Sequence, residues 1–432
     1  MSDDLFYTSR RQFLGGGLTL LSTASTLPAF LGSAVRAMAE DAEDGLKKKS
    51  DSDPILVMIQ LAGGNDGLNT IIPFGMDPYY QYRRQLAIPR KDVLPLRDDF
   101  GLHPAATGLK ALFDDGMMSV IHGVGYPNPN RSHFTSMDIW HTADPNMQTH
   151  TGWLGRYFDA QCKGSEPAPE PIEAIALMEE APLAMQGDRF APMAFQNADA
   201  LAWREPRGDD AAQALFRRLN NIDGVGTPVG SAANQFLQRA SLQAQLGAEE
   251  IRSAGWGTRA DRGRRRGRRG GGGGLTQQLN AVHNMIASDL PTRVYYVSFG
   301  GFDTHSGQLG AHQRLLGEFS SAVSSFVNDL KGDGLLDRVL IATFSEFGRR
   351  VQENASGGTD HGEAAPMFLF GSKLRPGLQG DHPDMRNLRR GDLRYTTDFR
   401  KVYAALLRDW MRVDYKNVLG PAFGPMRLLK RS

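Results

Sequence analysis

The regular part of the chain opens with a continuous apolar run, Pro54-Ile55-Leu56-Val57-Met58-Ile59-Gln60-Leu61, which stops at Gly63-Gly64. A run without polar alternation predicts a strand covered on both faces. Met117–Val124, Arg293–Phe299, Val339–Phe344 and Met367–Phe370 also read as strands, with shorter strand-like pieces near 174–178 and 192–196. Between them the period changes to that of a helix. Leu109, Leu112 and Phe113 share a face within 103–115. Leu275, Leu279, Val282 and Ile286 do so within 275–290, and Leu315, Leu316, Phe319, Val323 and Phe326 within 309–331. Val402, Leu406 and Trp410 mark a last helix from Asp398 to Val413. A further helical stretch covers roughly 209–254, and Ser132 stands as N-cap before His133-Phe134. Strands and helices alternate, which predicts an α/β fold with a mainly parallel sheet sandwiched by helices.

The N-terminus is a different kind of segment. Ser9-Arg10-Arg11-Gln12-Phe13-Leu14 has the form of a twin-arginine export signal. A mildly apolar, glycine-containing stretch follows, and Ala37-Met38-Ala39 offers a small-x-small cleavage site. The run is short and glycine-rich for a membrane anchor. The expectation is therefore a signal peptide over 1–39, a polar linker over 40–53 and one domain over 54–432. The mature protein would be periplasmic or otherwise exported, with the twin-arginine machinery as a partner and no stable membrane span after cleavage.

Charge and cysteine usage narrow the classes further. The formal net charge is +1 over 432 residues, which argues for neither a nucleic-acid nor a membrane-surface partner. The single cysteine, Cys162, excludes an intramolecular disulfide and a thiolate metal cluster. Residues 257–274 depart from the rest, with seven arginines and a run of five glycines. They read as a flexible solvated loop, as an RGG-like nucleic-acid patch, or as a local frameshift in the gene. No aromatic residue is interleaved with the arginines, so nucleic acid is not expected as a partner.

Candidate chemistry gathers in short segments around the predicted strand ends. Asp66 lies in the turn after the first strand, where Asn-Asp-Gly is also good turn chemistry. Asp303 and His305 follow a strand two apart, so in extended backbone both face one side. His312 is a second option. Glu346 follows Leu340-Ile341-Ala342-Thr343-Phe344 closely enough to need a partner, an ion or a cation such as Arg349. His361 sits among glycines that give close backbone access. Parallel strands collect their ends along one edge, where ligands bind. Asp, Glu and His there are donors for a hard or borderline metal ion. Ser132, with Thr135 and Ser136 as fallbacks, is the candidate nucleophile at a helix N-terminus suited to phosphate or sulfate. His133 is a supporting or substrate contact.

Leu61-Ala62-Gly63-Gly64-Asn65-Asp66-Gly67-Leu68-Asn69, Arg131-Ser132-His133-Phe134, Gly301-Phe302-Asp303-Thr304-His305, Thr343-Phe344-Ser345-Glu346-Phe347-Gly348-Arg349 and Gly358-Thr359-Asp360-His361-Gly362 together resemble the bacterial domain-of-unknown-function 1501 family over about 54–432. That family's activity is not established. The resemblance implies an alkaline-phosphatase-like core, in the superfamily of sulfatases and metal-dependent phosphoglycerate mutases. It implies Asp66, Asp303, His305, Glu346 and His361 as ligands for one or two divalent ions (zinc, manganese, magnesium or calcium) and Ser132 as nucleophile. The substrate would carry a phosphate or sulfate ester, in a hydrolase or transferase reaction. A non-catalytic exported binding or assembly protein of the same fold is the alternative. Two departures stand out. Asp303 and His305 are two apart where four is usual, and Glu346 is followed by Phe347, not a ligand, although Asp360-His361 could be the displaced pair. The sulfatase cysteine motif is absent around Cys162.

Overall fold

The computed structural model describes residues 53–97, 99–161, 169–196, 251, 274–420 and 423–430. The signal segment, the linker up to residue 52, Cys162, the arginine-glycine segment up to residue 273 and nearly all of the 209–254 stretch lie outside the described residues. What is described belongs to one unit formed by 49–201 and 247–432.

The central strand β1 (Ile55–Leu61) is buried along its whole length. Ile55, Val57, Ile59 and Leu61 enter the core on one side of the sheet, and Leu56 and Met58 enter the core on the other. Each such side chain contributes about 1.5–3 kcal/mol of transfer free energy. The double burial predicted from the unbroken apolar run is therefore observed.

The remaining strands follow in chain order as β2 (Ile71–Ile72), β3 (Leu94–Arg97), β4 (Phe100–Leu102), β5 (Met118–Gly125), β6 (Ala174–Ala176) and β7 (Met193–Ala194). Then come β8 (Val294–Phe299), β9 (Val339–Phe344), β10 (Ala365–Phe370), β11 (Gly377–Gln379) and β12 (Thr397–Asp398). The large sheet has the order β11-β5-β10-β9-β1-β8-β6-β7, with β12 also on β5. β8 and β9 flank β1 in parallel, with Leu61 opposite Phe299 and Gln60 opposite Phe344, so the three strands end level. Among the described strands of this sheet, only β10 runs against its neighbours, β9 and β5. A small antiparallel sheet, β2-β4-β3, was not foreseen from the sequence.

Helices cover both faces. Thr107–Asp114, Leu275–Ala287 and Gln308–Gly332 pack on one side, with Leu109, Leu279, Val282, Phe319 and Phe326 inward. His133–Thr142, Trp153–Gln161 and Phe399–Ala405 pack on the other. The helix expected from Asp398 to Val413 takes a different form. After Ala405 it widens into a π-helical turn, Leu406–Trp410, with Met411 N–H bonded to the Leu406 carbonyl at 2.9 Å. The extra residue per turn is compatible with Trp410 reaching the sheet, where its indole N–H donates to the Ile55 carbonyl at 2.9 Å.

Candidate functional site

Because β1, β5, β8 and β9 run the same way, the loops after them emerge at one edge of the sheet. The antiparallel β10 starts at that edge, with Ala365 paired to Val124 near the end of β5, and brings the segment before it there too. This is how His361 joins Asp303 and His305. The turn after β1 is built on glycine. Gly63 has φ +116°, and a Cβ there would run into the backbone of Asp303.

Asp303 is the hub. Its Oδ1 lies 3.0 Å from Nε2 of His305 and 3.1 Å from Nε2 of His361. Its Oδ2 lies 3.5 Å from Nε2 of His133. The Nε2 atoms of His305 and His361 are 3.0 Å apart. His133, Asp303 and His361 each offer a ligand atom within 4.8 Å of the others. Partial burial works against the charge on Asp303. The Arg349 guanidinium, 2.7 Å away, outweighs it and holds the carboxyl at about 2.

The opposite ring nitrogens are anchored one by one. Nδ1 of His361 faces the Arg131 carbonyl at 2.7 Å. Nδ1 of His133 faces Glu346 at 2.8 Å, and Nδ1 of His305 faces Asp360 at 3.3 Å. The carbonyl can only accept, and the carboxylates accept when ionised, so the protons belong on Nδ1. In neutral rings each Nε2 is then a bare lone pair turned toward Asp303. Two lone pairs 3.0 Å apart beside a carboxylate repel unless a proton or a cation lies among them. Imidazoles held through their far nitrogen by carboxylate or carbonyl are the usual support of metal ligands. The donor set therefore fits a divalent ion.

The other predicted residues are placed as follows. Glu346 is 1% exposed and stands behind His133. It accepts from that ring and from the Gly63 N–H at 2.8 Å, while Arg349, offered beside an ion as its partner, pairs with Asp303. Asp66 is also 1% exposed, and lies among Arg83 at 2.5 Å and Gln308. Burial opposes its charge, but Arg83 prevails and lowers its pKa. His312 is buried against Asn65 at 3.1 Å, in the same inner layer. Neither Asp66 nor His312 is in the histidine group. Ser132 is exposed at the N-cap, next to His133, and its side chain makes no capping bond. Its own N–H donates to Asn130. Ser136, a fallback nucleophile, is buried and bonded to the Glu346 carbonyl. Phe347 lies against the His133 and His361 rings, with centroids at 4.9 and 4.5 Å.

Two members were assigned too small a part from the sequence. His133 belongs to the cluster itself, and its position as first helical residue after β5 was the available signal. Arg349 holds Asp303 and also donates to the Gly64 and Thr359 carbonyls at 2.8 Å each. No spacing rule predicts that. The centre faces solvent, with Asp303 and His305 almost half exposed. A separate cavity of about 20 Å³, lined by His122, Pro366 and His382 among others, has room for about one water and is lined by none of the centre's residues.

Fold and site together define an α/β protein with a histidine–carboxylate centre at the C-terminal edge of its parallel strands. The chain belongs to the family described as "Protein of unknown function (DUF1501)", which matches residues 101–388, a span that holds the whole cluster and begins after Asp66. Among solved structures it is similar to the C-terminal periplasmic domain of EcEptC from Escherichia coli in complex with Zn. That likeness has 10% identity, 76% of this chain and 74% of that one covered, and a TM-score of 0.34. It is also similar to the lipoteichoic acid synthase LtaP from Listeria monocytogenes, with 10% identity, 84% and 81% covered, and a TM-score of 0.34. A protein in the alkaline phosphatase superfamily from Vibrio parahaemolyticus has 9% identity, 77% and 63% covered, and a TM-score of 0.34. No curated protein matches. No helix among the described residues is long and apolar enough to cross a membrane.

Proposed function

We propose that this chain is an exported, metal-dependent hydrolase or transferase acting on phosphate or sulfate esters. The observation that carries the reading is the convergence of three Nε2 atoms on Asp303, each ring anchored at its far nitrogen. The geometry supports Asp303, His305, His361 and His133 as the ligand set for one ion. Three imidazoles with one carboxylate suit zinc or manganese better than magnesium or calcium. A bound divalent ion would polarise an ester oxygen and lower the pKa of an oxygen nucleophile.

In this reading Ser132 supplies that nucleophile. Its hydroxyl makes no capping bond, and its neighbour His133 reaches Asp303. The N–H groups that open the His133–Thr142 helix favour the negative charge that develops on the ester oxygens. Glu346 sets the ring of His133 from behind, and Asp66 ties the turn after β1 to Arg83.

The test is elemental analysis together with a panel of aryl phosphates and sulfates. The expected result is about one equivalent of metal, lost in Asp303→Ala and His361→Ala, with turnover that requires it. A metal-loaded protein that turns over nothing, with both variants keeping their metal, ends the proposal. One observation favours a second reading, a non-catalytic binding or assembly protein: Phe347 occupies the position after Glu346 and packs against two of the histidines. Protein purified without any metal would support it.

A further inference from the structure

Arg390 adopts a left-handed backbone, φ 54°, and Gly391 follows at φ 85°. They are the two central residues of a tight hairpin closed by the Arg389–Asp392 bridge. Such turns call for Asn, Asp or Gly at both places, and a long side chain there is a strained choice. The strain presents an exposed guanidinium with no hydrogen-bonded partner among the described residues, while the Arg390 carbonyl accepts from Arg350 at 2.6 Å.

Three more arginines gather at the same turn. Arg131 pairs with the buried Asp392, and Arg350 reaches the same carboxylate at 3.4 Å. Arg389 grips Glu363 through two nitrogens, at 3.1 and 2.8 Å. Four cations thus meet Asp392 and Glu363 in ion pairs and Asp360 as a third carboxylate, four minus three, an excess of one positive charge. Asp360, the other carboxylate facing Arg350, is bonded to Asn354 and His305.

The patch adjoins the histidine centre. The Arg131 carbonyl holds His361, Ser132 follows Arg131 in the chain, and Arg350 follows the Arg349 that holds Asp303. Guanidiniums in surplus recognise phosphate and sulfate oxygens. We infer that Arg131, Arg350 and Arg390 form an anion subsite beside the reacting centre, which takes a second phosphate or sulfate of the substrate. The substrate class is then an oligoanion carrying charged groups on neighbouring units. The subsite's role in turnover rests on the esterase reading above. Its binding does not.

The experiment is calorimetric titration of the chelator-treated full chain with inorganic tripolyphosphate and, separately, inorganic phosphate. Tripolyphosphate is expected to bind without metal, more tightly than phosphate, and to weaken as salt is raised. Arg390→Asn suits the left-handed turn, so its melting temperature should hold or rise while tripolyphosphate affinity falls about tenfold. Arg390→Lys should retain part of the affinity. Unchanged affinity in Arg390→Asn overturns the inference, and so does equal affinity for the two anions. Absent ester turnover with tripolyphosphate binding intact and Arg390-dependent counts against the esterase alone and supports the subsite.

Discussion

Glu346 holds Nδ1 of His133 at 2.8 Å across 213 positions of sequence, while the other nitrogen of that ring points at Asp303 from 3.5 Å. A buried carboxylate is thus spent on orienting one imidazole. Partners of this kind typically change metal affinity by about 10- to 100-fold when removed. Glu346→Ala is expected to weaken zinc binding by that factor, and Glu346→Gln, which keeps an acceptor, by less. Competition with a chromogenic chelator measures both. Wild-type affinity in Glu346→Ala would show that the ring needs no such support.

Asp66 and Arg83 form a pair in which both side chains are 1% exposed or less. Removing the cation leaves a buried charge without its partner, a loss of about 3–5 kcal/mol. Arg83→Ala should lower the urea midpoint accordingly, and Asp66→Ala should leave the metal stoichiometry of the folded fraction unchanged. Loss of one equivalent of metal in Asp66→Ala would instead make Asp66 a ligand.

Ser132 separates chemistry from folding. Its side chain makes no capping bond, so Ser132→Ala should change stability by less than about 0.5 kcal/mol. Turnover of an aryl ester should nonetheless fall by roughly 1,000-fold or more, as for other nucleophile deletions. Metal content should stay at the wild-type value. An active Ser132→Ala protein would remove the serine from the mechanism.

Burial pushes the histidines of the inner layers down, His103, His141, His312 and His382 to about 4 and His122 to about 3. Each is depressed from an ordinary value of 6.5, so between 6.5 and about 4 the unfolded chain binds protons that the folded chain refuses. Stability therefore falls as pH drops through that window and rises with pH across it. His122 packs against the Phe100 and His382 rings and carries a buried Nε2 with no hydrogen-bond partner among the described residues. His122→Phe keeps a ring there and removes the titration, which should flatten the stability–pH slope by up to about 1.4 kcal/mol per pH unit. Urea unfolding at pH 7, 6 and 5 in chelator gives the two slopes, and parallel curves would exclude His122 as a contributor.

The strands and the chemistry of their ends were readable from the chain because both are local. Largely apolar runs marked β1, β5, β8 and β9, and the polar residues after them had to surface wherever those strands stopped. Period placed the helices from Thr107 to Asp114, from Leu275 to Ala287 and from Gln308 to Gly332 close to where they stand. That Asp303 and His305 come to the edge together followed from this edge logic. What no local pattern carries is pairing over distance. The reversed direction of β10 is a matter of which neighbours its backbone bonds, and it alone brings the segment before the strand to the edge. The choice of Arg349 for Asp303 and of His133 for Glu346 depends on side chains converging from loops 46 and 213 residues apart. So does the withdrawal of Asp66 behind Arg83. The sequence determined which donors lie near the edge. The tertiary structure decided which of them face one another, because charge and hydrogen-bond geometry act through space and leave no periodic trace along the chain.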